Sequence, residues 1–155
     1  MPEKLNPVLQ VRNQSEIEGR VGVVPGQTYQ TLVGDGGRGT DRVRLGRATY
    51  QPRTLEPLHW HPIEALYYVI AGSATVRNVA GEEFPVTGGS FIYAPAGIEG
   101  AHEWEVDDHL ELLDIRATNV ASRKFQYTVD KSTMRSYIDL SEIARREGLS
   151  FPSHY

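Results

Sequence analysis

The stretch PLHWHPIEALYYVIAG, Pro57 to Gly72, sets two histidines one residue apart at the head of an apolar run that ends on glycine. Side chains on an extended chain alternate between faces, so His59 and His61 share one face and Trp60 takes the other. Two imidazoles on one face make half of a metal site. Nitrogen ligands at about 2.0–2.1 Å suit zinc, and iron, nickel and copper also take imidazole. A lone His-x-His equally describes two hydrogen-bonded histidines at a strand end, so its meaning depends on what the rest of the chain adds.

Further along lies TGGSFIYAPAGIEGAHEWEV, Thr87 to Val106. A Gly-Gly turn leads into the short apolar run Ser90 to Ala94, the Pro95-Ala96-Gly97 turn follows, and His102 heads an alternating segment. His102, Trp104 and Val106 alternate with Glu103 and Glu105, which places the histidine on the buried face and the glutamates in water.

Together the two stretches resemble the paired motifs of the cupin superfamily, small β-barrels with a metal inside. One family motif has the form G-x5-H-x-H-x(3,4)-E-x6-G, and His59, His61 and Gly72 fall on it. The other has the form G-x5-P-x-G-x2-H-x3-N, and Gly89, Pro95 and Gly97 fall on it. The departures from these motifs are informative. The glutamate position is Ala65, with Glu64 one residue away and therefore on the opposite face. Gly100 stands where the later motif has histidine, and His102 comes two residues after it; Arg53 replaces the opening glycine of the earlier one.

This pattern is similar to that of the three-histidine cupin dioxygenases, among them those that cleave acetylacetone. The resemblance implies His59, His61 and His102 as metal ligands and Glu99, in the turn before His102, as a catalytic residue acting beside them. With His59 and His61 facing the barrel axis, Ala65 and Tyr67 line the cavity. Tyr67 is then either a packed core tyrosine or a catalytic and substrate contact, and Trp104 is a further wall of the substrate site. The implied cofactor is one divalent transition metal, Fe(II) first, with Zn, Ni or Mn as alternatives.

The chain has 155 residues and no internal repeat, the size of one domain with a sizeable core. A formal net charge of −4, with no basic cluster longer than Arg145-Arg146, argues against nucleic acid and against an anionic membrane surface. No apolar run reaches the roughly eighteen residues of a membrane span, and no charged-then-apolar leader opens the sequence, so a cytoplasmic protein is expected. There is no cysteine, which leaves histidine and carboxylate as the metal-binding vocabulary.

Residues 1–20 read as a polar arm in which Val8, Leu9 and Val11 are able to add a short strand. Val21 to Val24 and Gln27 to Val33 read as strands divided by the Pro25-Gly26 turn. Gly34 to Thr40 is glycine-rich but lacks the Gly-Lys-Ser/Thr ending of a phosphate loop, so it reads as a hairpin loop. Arg42 to Gln51 follows as a strand with Val43, Leu45 and Arg47 on one face. Glu64 to Ile70 is apolar on both faces, which predicts a strand covered on both sides. Ser73 to Val79, Phe84 to Val86, Leu110 to Ala117 and Phe125 to Val129 are further strands, and Asp107-Asp108-His109 reads as a turn with His109 in solvent. Asp139 or Ser141 caps a short helix through Arg146, stopped by Gly148. His154, close to the end of the chain, is not expected to be a ligand.

The expected fold is therefore all-β: a single-domain cupin jelly-roll, or double-stranded β-helix, barrel over residues 21–130, an N-terminal arm over 1–20 and a C-terminal helical segment over 131–155. No G-x-S-x-G and no helical H-E-x-x-H is present, which sets aside serine hydrolases and zinc peptidases. Three function classes remain. The first is an iron(II) dioxygenase cleaving a carbon–carbon bond of a small chelating substrate such as a diketone, hydroxyketone or keto acid. The second is a redox-neutral isomerase, lyase or decarboxylase, and the third a ligand-binding module without turnover. The expected partners are a small anionic or chelating compound, dioxygen for the first class, and a second copy of the chain in a homodimer.

Overall fold

Among the described residues ten strands in one sheet wrap into the jelly-roll barrel: β1 (Arg20–Val21), β2 (Gln27–Val33), β3 (Arg44–Tyr50), β4 (Leu55–Trp60), β5 (Ala65–Asn78), β6 (Glu83–Thr87), β7 (Phe91–Ala94), β8 (His102–Arg116), β9 (Tyr127–Asp130) and β10 (Arg135–Tyr137). The computed structural model describes residues 9–34, 40, 42–117 and 126–139. Among the described residues the helical elements are two single 3-10 turns, Gln14–Glu16 and Ile98–Gly100, and no helix is long and apolar enough to cross a membrane.

β8 is the organising strand. It pairs antiparallel with β3, β4 and β5, and so carries residues from both halves of the barrel on one continuous backbone. Its inward row reads His102, Trp104 and Val106, then Leu110, Leu112, Asp114 and Arg116, all buried. Tyr29, Ala48, Tyr50, Tyr67 and Val69 from the facing strands close the same core. Burying apolar surface of this kind contributes about 25 cal/mol per Å², which makes this cluster the main source of the barrel's stability. A smaller cluster of Leu58, Ala101 and Val129 lies on the opposite face of β4, with Trp60 stacked on Tyr127 at 4.3 Å.

Several strands depart from their expected course. β5 does not stop at Gly72 but runs through it, because φ of +89° at this residue and register shifts on either side let the strand bend and continue. Asp107, Asp108 and His109 lie within β8 as its exposed middle rather than in a turn. Leu66, Tyr68 and Ile70 face outward and are 41–46% exposed, so β5 is covered on one side only. In β3 the inward row is Gly46, Ala48 and Tyr50, whereas Val43, Leu45 and Arg47 lie outside it. Glu103 is buried rather than in water: Arg77 at 3.1 Å and Lys131 pair with it, the arrangement a buried carboxylate requires.

Leu9 and Val11 are exposed and add no strand, and β10 extends the pairing of β9 to Tyr137. The helix expected from Asp139 or Ser141 to Arg146, together with His154, falls on residues 140–155, outside the described residues.

Candidate metal centre

His59 and His61 come from the end of β4 and His102 from the start of β8, and His59 pairs directly with His102 across the ladder. The three are buried, and one nitrogen of each lies within 4.8 Å of the others. Two local features set them. The 3-10 turn Ile98–Gly100 absorbs the two residues by which His102 is late, and Gly100 is required there because a Cβ would collide with the carbonyl of Pro95. The turn before it is tied to the first histidine pair by the Gly97 amide, which donates to the His61 carbonyl at 2.9 Å.

The hydrogen bonds fix which nitrogens are free. Nδ1 of His59 donates to the Pro57 carbonyl at 2.7 Å and Nδ1 of His102 to the Gly100 carbonyl at 2.8 Å. A carbonyl only accepts, so in the neutral rings Nε2 carries the lone pair. Burial, and then the neighbouring His59, hold the His102 imidazole well below its ordinary pKa, so it is neutral at pH 7. Imidazoles oriented by backbone carbonyls, as His59 and His102 are, suit a transition-metal site, and the three histidines present fit a divalent ion.

Around these nitrogens the wall is polar. The Tyr67 hydroxyl lies 3.0 Å from Nε2 of His102 and 3.4 Å from Nε2 of His61, and it accepts from Arg116 Nη2 at 3.1 Å. Burial pushes the Tyr67 phenol upward against the opposing influence of Arg116, so it is a hydrogen-bond donor and not a phenolate. Glu56 is buried 3.5 Å from Nε2 of His59 and accepts from Tyr50, which in turn accepts from Gln27. A register shift between Glu56 and His59 brings these residues, three apart, to one face; Pro57 lies inside it and has no N–H to give to the ladder. Glu56, His59, His61, Tyr67, Arg116 and Arg44 all line one cavity of about 60 Å³.

The other sequence-derived candidates lie elsewhere. Glu99 is exposed on the 3-10 turn and is not among the cavity-lining residues, since the turn points it away as it buries Gly100. Ala65 and Trp104 are buried in the core, Trp104 packing edge-on against Tyr67 at 5.4 Å, and like His102 they are not among the residues lining the cavity. Glu64 is exposed and interacts with Tyr93, and His109 is exposed beside Asp108. Sequence reasoning misses Glu56, Arg44, Asp114 and Arg116. A signal for Asp114 and Arg116 exists: they continue the inward parity of Leu110 and Leu112, where a charge is unusual.

The match to a family model described as "Cupin domain" covers residues 46–116, from β3 to the end of β8. Over these residues the chain carries a cupin domain. This cupin is 29% identical over 119 residues to auxin-binding protein 1 of Arabidopsis thaliana, across 72% of this chain and 59% of that protein. It is 28% identical over 108 residues to gentisate 1,2-dioxygenase of Haloferax sp, across 69% of this chain and 28% of that protein. The chain thus spans less than two thirds of the length of either relative. Among solved structures, the polyketide cyclase RemF of Streptomyces resistomycificus superimposes with a TM-score of 0.69 at 21% identity, over 79% of this chain and 87% of that one.

Proposed function

We propose that this cupin is a metal-dependent enzyme acting on a small chelating substrate at His59, His61 and His102, and that with Fe(II) it is a dioxygenase that cleaves a carbon–carbon bond. The observation that carries the reading is the cluster of three buried imidazoles, His59, His61 and His102, with one nitrogen of each within 4.8 Å of the others and, among the described residues, no carboxylate in the cluster. A divalent ion held there would polarise a chelated enolate or carboxylate and, as iron, would pass the substrate's electrons to dioxygen. The side chains do the rest. Tyr67 presents a hydroxyl to whatever oxygen binds beside His102, Arg116 holds that hydroxyl in place, and the barrel core excludes bulk water. In the balanced reaction both atoms of one dioxygen enter the two carbonyl or carboxyl fragments. The similarity to gentisate 1,2-dioxygenase supports this reading.

A redox-neutral isomerase, lyase or decarboxylase, or a cyclase, is the second reading, favoured by the Tyr67 hydroxyl as a hydrogen-bond donor beside the histidines and by the fold shared with a polyketide cyclase. Assaying iron-loaded and zinc-loaded protein with 1,3-diketones, α-hydroxyketones and α-keto acids, in air and under nitrogen, separates them. Turnover only with iron and air is the expected result; equal rates under nitrogen assign the redox-neutral reading. Ligand binding with no turnover under any condition leaves a binding module. We further infer a homodimer through the outward face of β5 and β7, where Leu66, Tyr68, Phe91 and Tyr93 are 45–81% exposed; a monomer by light scattering would contradict it.

A further inference from the structure

We propose that Arg116, with Arg44 beside it, forms a carboxylate-binding subsite inside the barrel next to the three histidines, selecting small hydroxy or keto acids over neutral diketones. The choice of substrate rests on the metal-enzyme reading above; the anion subsite itself needs no metal.

Each guanidinium group has one buried nitrogen without an acceptor among the described residues. Arg116 is 7% exposed, its Nη1 is buried without a hydrogen-bond partner among the described residues, and Nε of Arg44 is in the same condition. Buried donors on a permanent charge are normally satisfied. The ladder shows why these are not: Arg116 lies directly across from Ala65 on one side, which has no charge to offer, and from Arg44 on the other, which has the same charge. Among the described residues the carboxylate on this cluster is Asp114, whose Oδ1 is 2.9 Å from Arg116 Nε and whose Oδ2 accepts from Arg116 Nη2 and from Tyr29, each at 3.4 Å. Arg44 lies over the ring of Tyr29 at 5.0 Å, so among the described residues two guanidinium groups line the cavity while Asp114 pairs with Arg116. The cavity's other acid, Glu56, is occupied by Tyr50 and faces His59.

A guanidinium fork matches a carboxylate edge to edge, with two parallel hydrogen bonds that an ammonium cannot reproduce. Arg116 is also joined to the histidine centre, its Nη2 lying 3.3 Å from Nε2 of His61. A short acid can thus place its carboxylate at the arginine and its keto or hydroxyl oxygen at the histidines. Size agrees: a cavity of about 60 Å³, at roughly 10–15 Å³ per water, takes about four to six water-sized centres, the scale of pyruvate or lactate.

The test is calorimetric titration of metal-free and zinc-loaded protein with pyruvate and with pyruvamide, which has the same shape and no charge. Pyruvate should bind at least ten-fold more tightly in both forms. Arg116→Gln should abolish that preference, and Arg44→Gln should reduce it several-fold. Equal affinity for the two compounds in wild type, or an undiminished preference in folded Arg116→Gln, overturns the subsite. If Arg116→Gln does not fold, the wild-type pair and Arg44→Gln still decide. An arginine-dependent preference in a protein that takes up no zinc would support the subsite while refuting the metal-enzyme reading.

Discussion

The carboxylate of Glu56 stands 3.5 Å from Nε2 of His59, the nitrogen that is free to bind a metal, although the two residues lie three apart on one strand. A carboxylate at that distance would add negative charge beside a divalent ion held by three imidazole nitrogens. Glu56→Gln keeps the shape and the contact with Tyr50 while removing the charge. It should weaken zinc affinity by about 10–100-fold, the range for partners just outside a metal's ligands, with the fold retained. An unchanged dissociation constant would show that Glu56 does not serve the ion.

Tyr67 links the two halves of the site, accepting from Arg116 and reaching both His61 and His102. Tyr67→Phe should retain its metal and lose activity, by about 10²-fold or more if the hydroxyl moves a proton in the rate-limiting step. A smaller loss would fit a hydroxyl that only orients substrate. Stability should fall by about 1–3 kcal/mol, because Arg116 loses an acceptor in a buried setting.

Gly72 lets β5 bend and continue. With φ of +89° and the His109 carbonyl against the position of a Cβ, Gly72→Ala is unfavourable both in backbone conformation and in space. Its unfolding free energy should drop by more than about 2 kcal/mol in denaturant titration. A loss within error would mean that the β5–β8 ladder adjusts freely at this bend.

What the sequence makes legible is what strand parity reaches. His59 and His61 are one residue apart, and His102 heads a clean alternation, so all three fall on the interior face. Parity fails where the ladder slips. Glu56 reads as outward when counted back from His59, and only the register shift at Pro57 turns it inward. Likewise, nothing in the run Glu64 to Ile70 distinguishes a strand buried on both sides from one whose outer apolar face is open, as it is here. Glu103 breaks alternation for another reason: Arg77 and Lys131 approach it from β5 and the turn after β9, and such partners are not visible locally. The pairing of Arg116 with Ala65 and Arg44 depends on register across three strands, and no local pattern in the sequence encodes it.

The central claim is that His59, His61 and His102 hold one divalent metal ion. Elemental analysis of purified wild type beside His59→Ala, His61→Ala and His102→Ala tests it most directly, with circular dichroism confirming that each variant is folded. About one equivalent of transition metal is predicted in the wild type, with loss of most of it in every variant, since removing one of three nitrogen donors cripples the site. Full metal content in folded His102→Ala would contradict it.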